Sequence, residues 1–352
     1  MTFLFTLLAA CAMIAGAQDN QAPFGTTQDA LLQAKSYVAA HQLEKANEVL
    51  SDFLHHDPAN EPVLLALGRI QLDQGLNDDA LNSFESVLSA KPDSGPARDG
   101  EVRAAVNAAL ADRNAGIDGS ALLYLIRARK FVPDSPELLL DFGVQAERMR
   151  IFQDADIALT KAHELAPQDP RILYALAHVE LDEQKMPEAE ANLRAYLKLR
   201  PGDATAHYGL GHLLHILMKE DDAKAELLRS IALQPRQSAS YYELGEIARE
   251  NGSVEEAKSD YERVLALAPH HGGALTGMGI LALRAKDYAT AEKYLHSAVQ
   301  YAPDYSTAHY YYALVLARMG RMDESRREAD LATSLNEQET KASRGNFLTV
   351  IH

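Results

Sequence analysis

The chain has 352 residues, with 34 Lys and Arg against 50 Asp and Glu, giving a net charge of -16. That balance disfavours partners recognised through their phosphates, so neither nucleic acid nor an anionic lipid surface is expected as a ligand. Hydrophobic residues make up 47% of the chain and its single cysteine is Cys11; the remainder must be held together by packing, without a disulfide or a thiolate metal site.

At the N-terminus an uncharged apolar run from Phe3 to Ile14 leads into Ala15-Gly16-Ala17. Residues 1–17 read as a secretory signal peptide, too short to span a bilayer. The expected location is therefore extracytoplasmic, periplasmic or secreted. Leu8-Ala9-Ala10-Cys11 also resembles the lipobox of bacterial lipoproteins, and a lipid on Cys11 would be the one route to a membrane. Residues 18–26 form a linker.

From Pro58 onward, prolines recur at Pro92, Pro133, Pro167, Pro201, Pro235, Pro269 and Pro303, in steps of 34 residues apart from one of 41. Unrelated domains have no reason to share a period, so residues 27–339 read as one repeat copied nine times. The repeats fall near 27–60, 61–94, 95–135, 136–169, 170–203, 204–237, 238–271, 272–305 and 306–339, with a closing segment at 340–352. The third is stretched, and carries Gly100, Gly116 and Gly119.

Counting the proline as position 32, position 20 is Ala46, Ala80, Ala121, Ala155, Ala189, Ala223, Ala257, Ala291 and Ser325. Position 8 is Ala or Gly wherever the frame is regular, and position 24 carries Leu50, Phe84, Leu125, Leu159, Leu193, Leu227, Tyr261 and Leu295. Small residues let two backbones approach, and the large ones fill the space beside them. Apolar stripes at positions 4, 7, 8 and 11, then at 20, 24 and 27, predict two amphipathic helices per repeat. The proline ends the second helix, and the Asp, Gly or Ser after it opens the next.

Leu244-Gly245, Ala257, Tyr261 and Pro269 carry the pattern of one known family: the sequence resembles the tetratricopeptide repeat proteins. Gln33 at position 7 of the first repeat and Glu337 in place of the last proline are departures. The resemblance implies an all-α, right-handed superhelical solenoid of about nine 34-residue helix-turn-helix repeats. It also implies a non-catalytic scaffold that binds a peptide or partner protein in a groove lined by the first helix of each repeat.

Helical geometry places positions 2, 5, 9 and 12 on that inner stripe. The groove candidates are Tyr174, Tyr208, Tyr242 and Tyr310 at position 5, and His178, His212 and Glu246 at position 9. His215, Arg249, Arg284 and Arg318 follow at position 12 or 13. Aromatic faces with polar tips suit a peptide held by stacking and hydrogen bonds. In the doublet Tyr241-Tyr242, the first residue is expected to pack and the second to face the groove.

The competing chemistries are weak. His178, His212 and His215 lack a further ligand to complete a metal site. Gly277-Met278-Gly279 superficially fits a dinucleotide fingerprint but sits inside a helical pattern. Without a nucleophile elbow or a phosphate loop, no enzyme, metal or cofactor is expected. The functional expectation is a cell-envelope scaffold, or alternatively an accessory subunit of an export or glycosyl-transfer complex whose catalytic chain is separate. Nothing in the sequence sets the oligomeric state.

Overall fold

A computed structural model describes residues 25–348, and among them every regular element is a helix. The helices come in pairs: α1 (Thr27–Ala39) with α2 (Leu43–Leu54), α3 (Glu61–Asp73) with α4 (Asn77–Ala90), and α5 (Gly95–Asn114) with α6 (Asp118–Arg129). Next come α7 (Pro136–Arg148) with α8 (Phe152–Leu165), α9 (Pro170–Asp182) with α10 (Met186–Leu199), and α11 (Ala204–Ile216) with α12 (Glu220–Leu233). Last are α13 (Ser238–Glu250) with α14 (Val254–Leu267), α15 (Gly272–Arg284) with α16 (Tyr288–Tyr301), and α17 (Ser306–Arg318) with α18 (Met322–Leu348). The signal-peptide reading and Cys11 lie outside the described residues.

Local chemistry sets the boundaries. Two residues after the repeat proline, the side chains of Asn60, Asp169 and Asp203 accept hydrogen bonds from first-turn amides, and Ser135 does so after Pro133. Each satisfies donors that the new helix leaves unpaired. Inside every pair the turn contains one left-handed residue: His41, Gly75, Gly116, Arg150, Gln184, Met218, Gly252, Lys286 and Gly320, with φ between 56° and 78°. Only four of the nine are glycine, so five turns hold a side chain where the left-handed region is disfavoured.

The eight alanines at position 20 are fully buried, and the side chains at position 24 are 0–3% exposed. Phe84 and Tyr261 are the two aromatics in this series, and each ring lies between two glycines. A Cβ on Gly68 or Gly100 would stand 2.7 or 2.4 Å from Phe84, and one on Gly245 or Gly277 would stand 2.7 or 2.4 Å from Tyr261. Gly277, left over from the fingerprint-like motif, is therefore room for a ring.

The stretched third repeat keeps its facing. Its extra seven residues lie in the 20-residue α5, and seven residues turn a helix to within ~20° of two full turns. The start of α5 meets Phe84 through Gly100, and Ala109 near its end takes the small position sixteen residues before Leu125. The C-terminus differs from expectation. With Glu337 where a proline would break the helix, α18 continues to Leu348, so no separate closing segment precedes that residue.

The chain divides into two compact units, Met1–Ala166 and Pro167–His352. In the first, α1 touches α3, α3 touches α5, and α5 touches α7; in the second, α11, α13, α15 and α17 touch in succession. Even-numbered helices are linked by long side chains, as where Arg127 of α6 reaches Glu85 of α4 at 2.6 Å and Arg194 of α10 reaches Asp222 of α12 at 2.8 Å. Within each unit, the odd-numbered helices form the tighter, inner layer.

Candidate functional site

Two close approaches fix which way the inner helices face. Gly245 at position 8 meets Tyr261 of its own repeat, and Gly277 at position 6 of the next repeat meets the same ring. Positions 6 and 8 thus turn toward the even-numbered helices, and position 7 points into that layer. Positions 5 and 9 lie ~160° from position 7 on either side, on the opposite side of the helix, although on α13 Tyr242 and Glu246 still reach Tyr261 of α14.

On this face of the second unit, α9 presents Tyr174 beside His178, with ring centroids 4.6 Å apart, and α11 presents Tyr208 stacked on His212 at 6.2 Å. Both histidines are exposed and both tyrosines half-buried. Burial pushes the two phenols above their ordinary titration range, so they stay neutral, and desolvation holds His178 below the usual imidazole value.

The centre of the face is a charged network. His212 Nδ1 and His215 Nδ1 lie 2.9 and 2.6 Å from the same oxygen of Glu243 on α13, and His215 Nε2 lies 3.2 Å from Glu250. Arg249 donates to Glu246 at 2.5 Å and to Glu250 at 3.2 Å, and the Tyr261 hydroxyl also donates to Glu246. The hydrogen bond that His212 donates to Glu243 raises the imidazole above its ordinary value. For His215, burial opposes the charge but is outweighed by the bonds to Glu243 and Glu250. Glu243 is 6% exposed; burial acts to raise its carboxyl, yet the two imidazoles carry it below its ordinary value.

The remaining candidates separate. Arg284 donates to the backbone carbonyl of Arg249 at 3.1 Å and so closes the end of α13. Tyr310 and Arg318 on α17 are exposed, with Leu314 between them. Tyr242 is packed: its ring lies 4.9 Å from His271 and 6.3 Å from Tyr261, and a Cβ on Gly273 would stand 2.8 Å from it. Tyr241 joins the same core cluster. Tyr241 and Tyr242 are thus both half-buried and both packed in this cluster, with His271 at the N-cap of α15 and Gly273 in its first turn against the Tyr242 ring.

Glu243 and Glu250 were missed by sequence reasoning. Glu243 occupies position 6, which is Ala66, Gly100, Ala175, Gly209 and Gly277 in five other repeats but Leu32, Asp141 and Tyr311 in the rest; a carboxylate there did not by itself stand out. Among the described residues, no three His, Cys, Asp or Glu are grouped to hold a metal ion.

Paired helices stacked at a constant period, with an uncovered inner face, define a helical-repeat protein. The chain belongs to the tetratricopeptide repeat family: profiles described as tetratricopeptide repeat match residues 37–108, 174–217, 238–271 and 282–343. No curated protein matches it by sequence. Among solved structures it is similar to that of the APC/C hetero-tetramer Cut9-Hcn1, at 17% identity over 90% of this chain and 62% of that one, with a TM-score of 0.52. It is also similar to Pseudomonas aeruginosa pilF, at 20% identity over 58% of this chain and 94% of that one, TM-score 0.50. The structure of MamA protein shares 23% identity over 48% of this chain and 92% of that one, TM-score 0.45. At these identities the likenesses to Cut9-Hcn1 and pilF are of fold alone.

Proposed function

We propose that the chain is a non-catalytic interaction scaffold that works outside the cytoplasm, in the cell envelope, and binds a peptide or partner protein along the inner face of its second unit. The observation that carries this reading is the pair of ring couples Tyr174–His178 and Tyr208–His212 on α9 and α11, each with an exposed imidazole. Neutral aromatic faces beside hydrogen-bonding tips suit a polypeptide better than a compact metabolite. The apolar run at residues 3–14 supports the envelope location.

The test is capture of cross-linked partners from envelope extract by the wild-type chain and by a His178→Ala, Tyr208→Ala, His212→Ala variant. Capture should fall sharply while helicity is retained. Equal capture by a folded variant would defeat the reading, and mass spectrometry of the mature N-terminus decides the location.

A further inference from the structure

The apolar residues of α6 do not stop at its packed side. Leu122, Leu123, Tyr124, Leu125 and Ile126 are consecutive, and at ~100° per residue such a run covers the whole circumference of a helix. Leu125 is fully buried in the core, whereas Leu123 and Ile126 are 65% and 39% exposed. They occupy positions 22 and 25 of the repeat, both of which are polar on α2, α4, α14, α16 and α18, as with Glu48 and Ser51 or Asn82 and Glu85. The next helix of the same layer, α8, puts Ile157 at position 22, and it is 59% exposed. Arg129 of α6 lies near enough to Asp154 of α8 for their charges to interact, and both helices belong to the first compact unit. The outer side of that unit thus carries an aliphatic patch that the fold does not require, since most repeats are built without one.

The charges around the patch indicate what covers it. Asp154, Ile157 and Lys161 are exposed at i, i+3 and i+7, so they form one stripe on α8 with the apolar residue between an anion and a cation. Lys161 donates to the carbonyl of Pro133 at 3.0 Å, which leaves two of its three protons for another acceptor. Laid antiparallel on a copy of itself, this stripe sets each Asp154 against the other Lys161, with the two Ile157 side chains meeting at the middle. On α6 the same operation sets Leu123 against Ile126, and turns the exposed Lys130 toward the first turn of the other α6, which holds Asp118. The midpoint of Leu123 and Ile126 and the midpoint of Asp154 and Lys161 are 33 residues apart, one short of the 34-residue repeat. Both crossings therefore fall at nearly the same height, and a single two-fold axis running across the two helices serves them together. A surface complementary to its own reverse, in charge as well as in apolar contact, singles out a second copy.

We propose that the outer face of α6 and α8 is a two-fold self-association surface, on which two copies of this chain pack antiparallel with Asp154 of each against Lys161 of the other. Helices of 12 and 14 residues offer a face of about 400 Å² per copy at ~1.5 Å of length per residue and ~10–12 Å of width. That is about half of what each side of a standard interface buries, so the dimer is concentration-dependent. It uses the even-numbered layer and leaves the inner face of each copy uncovered.

The experiment is sedimentation velocity on the full-length chain over a range of concentrations, which should show monomer passing into dimer as concentration rises. Leu123→Glu with Ile157→Glu should abolish the dimer, and circular dichroism should be unchanged because both side chains are exposed. Asp154→Lys alone and Lys161→Glu alone should each weaken association, since either change sets like charges together at both ends of the crossing. An equimolar mixture of those two variants should dimerise more strongly than either by itself, because every contact again joins opposite charges. A chain that stays monomeric at every concentration, a dimer untouched by the Leu123→Glu, Ile157→Glu variant, or a mixture that associates no better than its components would each overturn the proposal. So would a monomeric chain that binds phosphatidylcholine vesicles through Leu123 and Ile157, which would assign the patch to lipid.

Discussion

His207 on α11 lies 2.6 Å from Glu226 on α12 through Nδ1, and its other nitrogen lies 3.2 Å from the carbonyl of Pro201. The arrangement recurs three repeats later, where His309 meets Glu328 at 2.6 Å and the carbonyl of Pro303 at 3.0 Å. Both histidines are buried, at 8% and 4% exposure, and each ties the start of an inner helix to its partner helix and to the proline turn before it. Removing the carboxylate leaves a buried ring nitrogen unsatisfied, which costs about 1–3 kcal/mol. Glu226→Ala and Glu328→Ala should each lower stability by that amount in urea unfolding followed by circular dichroism, and an effect within error would show the contacts to be incidental.

The sandwiching of Phe84 between Gly68 and Gly100 makes a coupled prediction. Gly100→Ala drives a methyl into the ring and should cost about 1–3 kcal/mol. Phe84→Leu supplies the smaller side chain that most repeats carry at this position. In the Phe84→Leu, Gly100→Ala double variant, most of the glycine's cost should disappear, giving a coupling that a double-mutant cycle reads directly. Strict additivity would mean that the ring does not set the requirement for glycine.

These glycines show where the sequence was legible. Proline spacing and the small residues at positions 8 and 20 are local signals that recur in at least eight of the nine repeats, so the helix pairs and their facing could be read from them. Gly277 could not be explained, because its reason is Tyr261, sixteen residues away in the preceding repeat. The left-handed turn residue was hidden for a different reason: at His41, Arg150, Gln184, Met218 and Lys286 the side chain gives no hint of a positive φ. At the inner face, helical geometry alone pointed to positions 5 and 9. The capture of His212 and His215 by Glu243 was not, since it depends on how two repeats sit against each other, and the covering of Tyr242 by His271 has the same origin.

Glu101 gives the first unit a pH dependence. It is fully buried on α5, and neither carboxyl oxygen has a hydrogen-bond partner. Burial, reinforced by the nearby Glu85, pushes its carboxyl from 4.5 up to about 8. The folded state thus holds a proton that the unfolded chain releases near pH 4.5, so stability falls as pH rises from about 4.5 to about 8 and levels off above that. The slope is at most about 1.4 kcal/mol per pH unit. Glu101→Gln should flatten the curve over this range, and Glu101→Leu should be more stable than wild type at pH 8. An unchanged pH profile in both variants would show that Glu101 finds a counter-charge in solution.

The network on α11 and α13 has its own pH window. His212 and His215 are both raised above 6.5 in the folded chain, and Glu243 is lowered below 4.5. The histidine contribution is complete below pH 6.5 and is lost as pH rises through the raised values; the Glu243 contribution is present above pH 4.5 and is lost as pH falls through its lowered value. The link between the two helices should therefore be strongest between about pH 4.5 and 6.5 and weaken on the alkaline side. Glu243→Gln keeps the shape but removes the charge. Proton NMR of the imidazole Cε1–H resonances should show both histidines titrating at lower pH in that variant, His215 less so because Glu250 remains beside it. If neither resonance moves, Glu243 does not govern the inner face, and the histidines are free to meet a partner without first breaking an ion pair.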